Sequence, residues 1–454
     1  MEKTAIQIVK AFQETGFQAY FAGGSVRDFL MGNTPTDYDI ATSAKPDEIE
    51  KVIDEIHLGT CLPAGRSKTI PIGKQFGVIL GVVNGYHFEI ATFRSDSSYS
   101  DGRRPDAVLF TSAKEDAYRR DFTINGMFYD PIEKEVIDYV KGQDDIKNKK
   151  LRFIGEAHER IKEDHLRILR AVRFKNNFEF EYGKRTKKAI EELHHLIDDI
   201  SKERVQDELT KILLHPHRAH SMRELDKFGT LEVILPELAA CKNIKQPTEF
   251  HQEGGVLTHI FKSLHDIPAE WVTKELAWAV LLHDIGKPDT YEEKPDRIHF
   301  DGHAELSAKM AGKILRRFKF SRAEINKITW MIDHHMTVGF IPDMRRAHQI
   351  GLFFHPWFED LMKLHYCDEH GTYPIDLSLY ENIMKLYEEF KGEKLLEDHF
   401  RPKLTGDDLQ KEFDLKPGPQ IQQILNTIRE ERIEGTVKTK ADERKLVKKI
   451  LFKK

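Results

Sequence analysis

The sequence predicts an α+β chain, with a small mixed α/β domain first and almost purely helical domains after it. Three observations lead there. Up to Gly142, short runs of strand period alternate with helical stripes; beyond it only the helical period persists. At 454 residues the chain is also too long for one small module and suggests roughly two to four domains.

The elements follow in order. Ala5, Ile8, Val9 and Phe12 recur at helical spacing, with Thr4 placed as a cap and Gly16 as a stop. Residues 18–22 read as a strand running into Gly23-Gly24. A second helix follows Ser43, with Ile49, Val52, Ile53 and Ile56 as its buried stripe. Residues 77–83 and 87–93 read as strands joined in a hairpin through Asn84-Gly85. Near the C-terminus, Ile421, Ile424, Leu425 and Ile428 mark an amphipathic helix.

Composition bounds the function. The 70 Lys+Arg and 75 Asp+Glu give a net charge of -5, and 40% of residues are hydrophobic, which excludes global disorder. Cys61, Cys241 and Cys367 are too scattered for a disulfide framework or a thiolate zinc site. With no secretory leader pattern and no apolar run near the roughly 18 residues of a membrane span, a soluble cytoplasmic protein is expected. No protein partner is inferable. Near-neutrality ordinarily argues against nucleic acid, but the charge is unevenly spread. Residues 147–188 carry 14 Lys/Arg against six Asp/Glu, and residues 432–454 carry nine against three. Two such regions suit an extended polyanion, because each neutralised phosphate releases counterions. The stretch Lys184-Arg185 with Lys187-Lys188 fits either an RNA backbone contact or a solvated helix face.

The densest chemistry lies at Gly23-Gly24-Ser25-Val26-Arg27-Asp28, followed by Asp37-Tyr38-Asp39. Adjacent glycines let a backbone approach a phosphate, Ser25 can donate from its N–H or hydroxyl, and Arg27 can grip the same oxygens bidentately. If residues 37–40 form a strand, Asp37 and Asp39 share one face, about 7 Å apart. That spacing suits hard cations clamping a triphosphate during in-line displacement. Glu89, between Phe88 and Ile90 on a neighbouring strand, can add a third carboxylate.

The pattern Gly23-Gly24-Ser25-Val26-Arg27-Asp28-x-Leu30-x-Gly32, with Asp37-x-Asp39-x-x-Thr42, resembles the head-domain signature of class II tRNA nucleotidyltransferases. This polymerase-β-like group contains CCA-adding enzymes and bacterial poly(A) polymerases. Further similarities occur in the family's order: Ala91-Thr92-Phe93-Arg94, the flexible-loop segment Arg103-Arg104-Pro105, and the motif running from Arg119 through Arg120-Asp121 to Gly126. The run from Glu163 to Phe174 resembles the family's base-reading helix, except that His165 stands where the family commonly has Pro. The segment from Glu203 to Leu209 resembles the neck, whose charged residues pin the supporting helices.

The resemblance implies Mg²⁺ held by Asp37 and Asp39, with Gly24 and Arg27 on the triphosphate and Arg120 and Asp121 on the incoming nucleotide. It implies CTP, ATP and tRNA as partners, with attack by the RNA 3′-hydroxyl on the α-phosphate. On one helix, Asp164 and Arg167 would project together, with Arg170 and Arg173 continuing the strip. A carboxylate accepting from an amine beside a guanidinium donating to a ring nitrogen selects cytosine and adenine, and presents the wrong polarity to uracil and guanine. As a plain ion pair the two would be worth only a few tenths of a kcal/mol.

A second constellation, His259, His283-Asp284, His303, His334-His335 and Asp368, resembles the HD metal-dependent phosphohydrolase superfamily. Its ligand set suits Mn²⁺, Fe²⁺, Ni²⁺, Co²⁺ or Zn²⁺, and the extra histidines match members that hold two metals. His251 and His370 fall outside the pattern.

The expected organisation is a nucleotidyltransferase head (1–142), a helical neck and body (143–245), an HD domain (246–370) and a helical tail (371–454). The expected activity is template-independent addition of the 3′-terminal CCA of tRNA. An A-adding or CC-adding enzyme or a poly(A) polymerase stays open within the fold, although the full-length 94–104 loop disfavours CC-only addition. An HD phosphohydrolase with a sensing N-terminal domain is the alternative of another class.

Overall fold

The computed structural model describes residues 1–56, 68–70, 74–96, 108–247, 252, 254–295, 297–393 and 400–452. Arg103, Arg104 and Pro105 of the expected loop, Cys61 and His251 lie outside the described residues. The chain forms two compact units, Met1–Ala239 and Ala240–Lys454.

The first unit opens with α1 (Glu2–Glu14), β1 (Ala19–Ala22), α2 (Gly24–Leu30), β2 (Asp39–Thr42) and α3 (Pro46–Glu55). Then come β3 (Lys68–Ile70), β4 (Val78–Val83), β5 (Tyr86–Thr92), β6 (Arg94–Asp96), β7 (Val108–Phe110), α4 (Ala113–Arg119), β8 (Phe128–Asp130) and β9 (Glu135–Ile137). Seven strands make one sheet in the order β3-β4-β5-β2-β1-β8-β9, in which only β2 and β5 pair in parallel. One core gathers Ile8, Val9 and Phe12 of α1, Ile49 and Ile53 of α3, and Ile40, Ile79, Phe88 and Ile90 of the sheet. A smaller one places Ala113 and Ala117 of α4 with Ala41, Phe93 and Phe128.

The expected hairpin is present. Asn84 and Gly85 both have positive φ, 54° and 77°, which matches the mirror-image turn that suits strand twist. One local expectation is corrected. Thr4 is buried inside α1, whose cap is Met1, because the helix begins three residues before the apolar stripe. The segment after Gly23 is helical, so α2 starts directly beneath the strand end.

The rest of this unit is α5 (Gly142–Lys147), β10 (Lys150–Leu151), α6 (Ala157–Glu163), α7 (Arg167–Asn177), β11 (Glu181–Tyr182), α8 (Lys184–Leu193), α9 (Lys202–Leu213), α10 (Arg218–Lys227), α11 (Thr230–Ile234) and α12 (Pro236–Ala239). Here the single reading helix expected from the sequence is overturned. Asp164 takes an extended conformation (φ −149°, ψ 102°) and separates α6 from α7. Its carboxylate accepts from the Leu166 N–H and its carbonyl from the Arg167 N–H, so it starts a new helix rather than continuing one.

The second unit contains α13 (Val256–His265), α14 (Lys274–Leu282), a short hairpin of β12 (Glu292–Glu293) and β13 (Ile298–His299), α15 (His303–Arg317), α16 (Arg322–His334), α17 (Arg346–Phe353), α18 (Phe358–Gly371) and α19 (Ser378–Glu393). It ends with α20 (Gly406–Phe413), α21 (Pro419–Ile433) and α22 (Lys440–Leu451), which close a small core around Leu409, Ile424, Ile428 and Val447. Residues 276–282 of α14 are buried all round, the mark of a central helix. Among the described residues no helix is long and apolar enough to cross a membrane.

Candidate active site and candidate metal centre

At the end of β1, Ala22 pairs with Asp39 of β2, and Ile40 pairs with Ile90 of β5. Glu89 therefore sits beside Asp39, and the two-residue period carries Asp37 to the same side while Tyr38 turns inward against Phe21. Strand β2 itself starts at Asp39, so Asp37 stands just before it. The three carboxylates come together on one rim. Burial, Asp37 and Glu89 raise the Asp39 carboxyl to about 6, with Arg120 only partly offsetting them.

Gly23 holds φ +68°, and a Cβ there would meet Arg120 Nη1 at 3.2 Å and Asp39 Oδ2 at 3.8 Å. Both conformation and close approach thus require glycine. The Ser25 hydroxyl donates to the Ala22 carbonyl at 3.0 Å, so it pins the strand–helix turn and leaves only its N–H for a ligand. Gly24 opens α2 on that turn. Arg27 donates through Nη1 to Asn125 Oδ1 at 2.8 Å, pairs with Asp28, and lies 4.5 Å from the Phe178 ring centroid.

Arg120 donates to Asp116 Oδ2 through Nε and Nη2 at 3.1 and 3.0 Å. Burial works against the Asp116 charge, yet Arg120 and Arg119 hold its carboxyl below the usual range. Asp121 accepts from Arg170 Nε and Nη2 at 2.9 and 2.5 Å and from the Phe122 N–H at 2.7 Å. Against burial, these partners hold it at about 2.

The Asp164–Arg167 pairing expected on one helical face does not form, because the helix breaks between them. Asp164 is gripped by Arg204 at 3.1 and 2.8 Å. Arg167 Nη1 donates to Glu163 Oε2 and to the Arg160 carbonyl, both at 2.7 Å. Arg173 Nε donates to buried Glu208 at 2.5 Å. Each residue expected to read the base is therefore held by a protein partner, two of the partners (Arg204 and Glu208) lying in the expected neck segment. Sequence reasoning missed Asp116, Asn125 and Arg160; Asn125 links Arg27 to Asp121, and Arg160 Nη2 donates to the Arg120 carbonyl at 2.6 Å. Nothing in local pattern marked Asp116 or Arg160, whereas Asn125 lay within a quoted motif.

The histidines of the second unit converge. His259 of α13, His283 after α14, His303 opening α15, His335 after α16 and Asp368 of α18 surround Asp284. His259 Nε2 lies 2.8 Å from Asp368 Oδ1 and 3.3 Å from His283 Nε2; His303 Nε2 lies 3.3 Å from His335 Nε2. Asp284 divides its oxygens, with Oδ2 3.4 Å from His283 and Oδ1 3.4 Å from His303. Two triads result, His259–His283–Asp284 and Asp284–His303–His335, which share one carboxylate.

These residues fit a pair of cations. His283, His303 and His335 tie Nδ1 to the carbonyls of Val280, Phe300 and Ile332 at 2.8, 2.8 and 2.6 Å, which leaves each Nε2 facing the centre. Burial disfavours a charged imidazole, yet Asp284 and Asp368 push His283 up to about 10, whereas burial takes His335 down to about 4. So much negative charge around one ring is the signature of a site built for positive charge. Lys287 supplies some, 2.7 Å from Asp284 Oδ2 and held by Gln246 at 2.9 Å. His334 does not join. One helical step away, it donates from Nδ1 to the Trp330 carbonyl (2.9 Å) and stacks on the Trp330 ring. His370 likewise lies against Tyr366.

Comparison with known proteins agrees with this geometry. The chain matches the family described as poly A polymerase head domain over residues 19–152 and that described as a probable RNA and SrmB-binding site of polymerase A over 177–242. It matches the HD domain over 259–390. Fold and site thus define a nucleotidyltransferase that carries an HD domain, two classes of protein that generally use divalent metals. Among curated relatives, the CCA-adding enzyme of Lactococcus lactis subsp. cremoris (strain MG1363) is 31% identical over 439 residues, 95% of this chain and 92% of that one. That of Bacillus pumilus (strain SAFR-032) is 42% identical over 210 residues, 46% of this chain and 49% of that one. The crystal structure of Bacillus stearothermophilus CCA-adding enzyme in complex with CTP matches the fold with a TM-score of 0.68 at 24% identity, covering 99% of this chain and 97% of that one. The chain belongs to the CCA-adding enzyme family.

Proposed function

We propose that this chain adds or repairs the 3′-terminal CCA of tRNA from CTP and ATP, and that its HD site hydrolyses a phosphoester. One observation carries the first reading: Asp37, Asp39 and Glu89 share a rim on which Asp39 is raised to about 6, beside Arg120 and the glycine turn. Such a group gains from a cation. Mg²⁺ held by Asp37 and Asp39 would supply Lewis acidity for the attacking hydroxyl and the triphosphate.

The chain's own residues do the rest. The Gly24 turn and the Ser25 N–H approach the phosphates, and Arg27 and Arg120 stand ready to stabilise their charge. Asp121 and Arg170, locked together, orient the incoming nucleotide. Asp164 and Arg167 read the base by exchanging Arg204 and Glu163 for its amine and ring nitrogen. Cytosine and adenine offer the matching polarity. The functional division is head 1–142, neck and body 143–245, HD domain 246–370 and tail 371–454.

At the second site a transition metal, Mn²⁺, Fe²⁺, Ni²⁺, Co²⁺ or Zn²⁺, would activate water and steady a leaving oxygen. The bridging position of Asp284 supports a two-metal arrangement.

The test is extension of tRNA transcripts that end before CCA, after C and after CC, each with Mg²⁺ and a single labelled nucleotide. Incorporation of C into the first two transcripts and of A into the CC-ended one supports the reading. Extension of the CC-ended transcript alone selects an A-adding enzyme, and extension of none overturns nucleotide addition.

A further inference from the structure

The basic stretch that opens α8 splits in the folded chain. Lys187 and Lys188 each face a glutamate one turn on, Glu191 at 3.6 Å and Glu192 at 3.7 Å. Lys184 has no such partner among the described residues, and neither has Lys141 at the start of α5. Both line a pocket of about 470 Å³, a size that suits one small ligand. Its lining holds four cations and no carboxylate.

The two arginines there are already matched. Arg152 makes a two-pronged contact with Asp145 at 2.8 and 2.7 Å, and Arg185 meets Glu156 at 3.1 Å. The free charge of the pocket is therefore that of Lys141 and Lys184. Part of the same wall is aromatic. Tyr118 and Tyr139 are 49% and 39% exposed, and the Tyr118 hydroxyl donates to the Tyr139 carbonyl at 3.3 Å. The floor, around Phe153 and Ile154, is apolar. None of these residues belongs to the nucleotide site described above.

Aromatic rings flanked by unpaired cations are the chemistry of single-stranded nucleic-acid contact, in which a base stacks and the backbone is neutralised. We propose that this pocket holds one nucleotide of the RNA substrate outside the catalytic site, its base against Tyr118 and Tyr139 and its flanking phosphates on Lys141 and Lys184. The inference rests on the reading that the substrate is RNA. Two unpaired lysines on separate elements suit a nucleotide with phosphate on both sides better than a free nucleotide with one phosphate group.

The experiment measures tRNA binding and extension by the full chain at several salt concentrations, in wild type, Lys141→Ala/Lys184→Ala, the Arg double variant Lys141→Arg/Lys184→Arg, and Tyr118→Ala. Removing both lysines should lower the slope of log affinity against log salt by about 1 for each lysine, and the Arg variant should restore it. Tyr118→Ala should weaken tRNA binding about ten-fold. The rate at saturating tRNA and the KM for CTP should stay at wild-type values in every variant. Unchanged tRNA affinity and salt slope would overturn the proposal. So would loss of binding to cytidine monophosphate with tRNA affinity intact, which would make the pocket a free-nucleotide site. Lys184→Gln alone, with half the slope change, covers the case in which the double variant does not fold. If wild type itself fails to extend tRNA, the functional reading falls, an outcome distinct from wild-type extension with indifferent variants.

Discussion

The carboxylate rim of the first unit and the histidine cluster of the second both collect charge for cations, but in opposite surroundings. Asp37 and Glu89 are exposed and Asp39 is half-buried, as a site must be that admits both a polymer end and a triphosphate. Burial of Asp39 and, after it, the like charges of Asp37 and Glu89 take its carboxyl to about 6. In the cluster, His259, His283, Asp284 and His335 are each at most 3% exposed. Charge there is balanced internally, by Lys287 against Asp284 and by the upward push on His283. An open site tolerates a missing cation through repulsion, whereas a closed one tolerates it by drawing in protons.

The largest effect expected is a double separation of the two. Asp37→Ala should lower CCA addition about a thousand-fold or more, since a catalytic cation is worth several kcal/mol, and leave bound transition metal unchanged. Asp284→Ala, which removes the ligand common to both triads, should abolish that metal and leave CCA addition intact. Metal analysis beside tRNA extension reads both. Loss of addition in Asp284→Ala would show that the sites are not independent.

The paired cations of the first unit come next. Asp121→Ala strips Arg170 of its partner and two donors of their acceptor, and should cost about 3 kcal/mol in denaturant unfolding. The sign with pH follows from its depressed carboxyl. The stability it contributes is present above its ordinary value of 3.8 and is lost as pH falls toward about 2. Wild type should therefore lose stability across that window more steeply than the variant; parallel curves would remove Asp121 as the anchor of Arg170.

What was legible in the sequence divides along the same line. The rim needed strand period and a glycine pair, so Asp37 and Asp39 could be placed on one face from spacing, whereas Glu89 was only a candidate on a neighbouring strand until the β2–β5 register brought it beside Asp39. His283-Asp284 and its distant partners were legible as a motif series. The choice within His334-His335 was not, because it depends on where α16 ends. The Asp164–Arg167 geometry failed for a related reason. Three-residue spacing implies a shared face only inside an unbroken helix, and the break is set at Asp164, which ends α6, accepts from the Leu166 N–H and is clasped by Arg204 from α9. The pairing of Lys287 with Asp284 and the role of Gly371 also escaped notice. A Cβ at Gly371 would come within 2.0 Å of Ser263 Oγ and 3.0 Å of His259, a packing requirement that exists only once α13 and α18 meet.

A smaller effect tests the burial and repulsion that oppose the Asp39 charge on the open rim. Because Asp39 binds a proton more tightly in the folded chain than at its ordinary 3.8, metal-free stability is lost as pH rises from about 4 through about 6. Asp39→Asn should therefore raise metal-free stability by roughly 2 kcal/mol at pH 8, after allowing for solvent screening, while it abolishes CCA addition. Thermal melts without divalent cations read the first and tRNA extension the second. A destabilised variant would mean that Asp39 is held by contacts rather than opposed by its neighbours.

The smallest effect expected separates two adjacent histidines. His335 follows α16 with Nδ1 on the Ile332 carbonyl and Nε2 on His303, whereas His334, one helical step round, stacks on Trp330. His335→Ala should remove one ligand of the second triad and lower its metal content, with the His259–His283–Asp284 triad retained. His334→Ala should leave metal content at the wild-type value and cost only the stacking, about 1 kcal/mol. Metal analysis of the two variants side by side decides the matter: an equal loss in both would mean that α16 turns when metal enters, and that the closed cluster is less preorganised than its backbone-tied imidazoles imply.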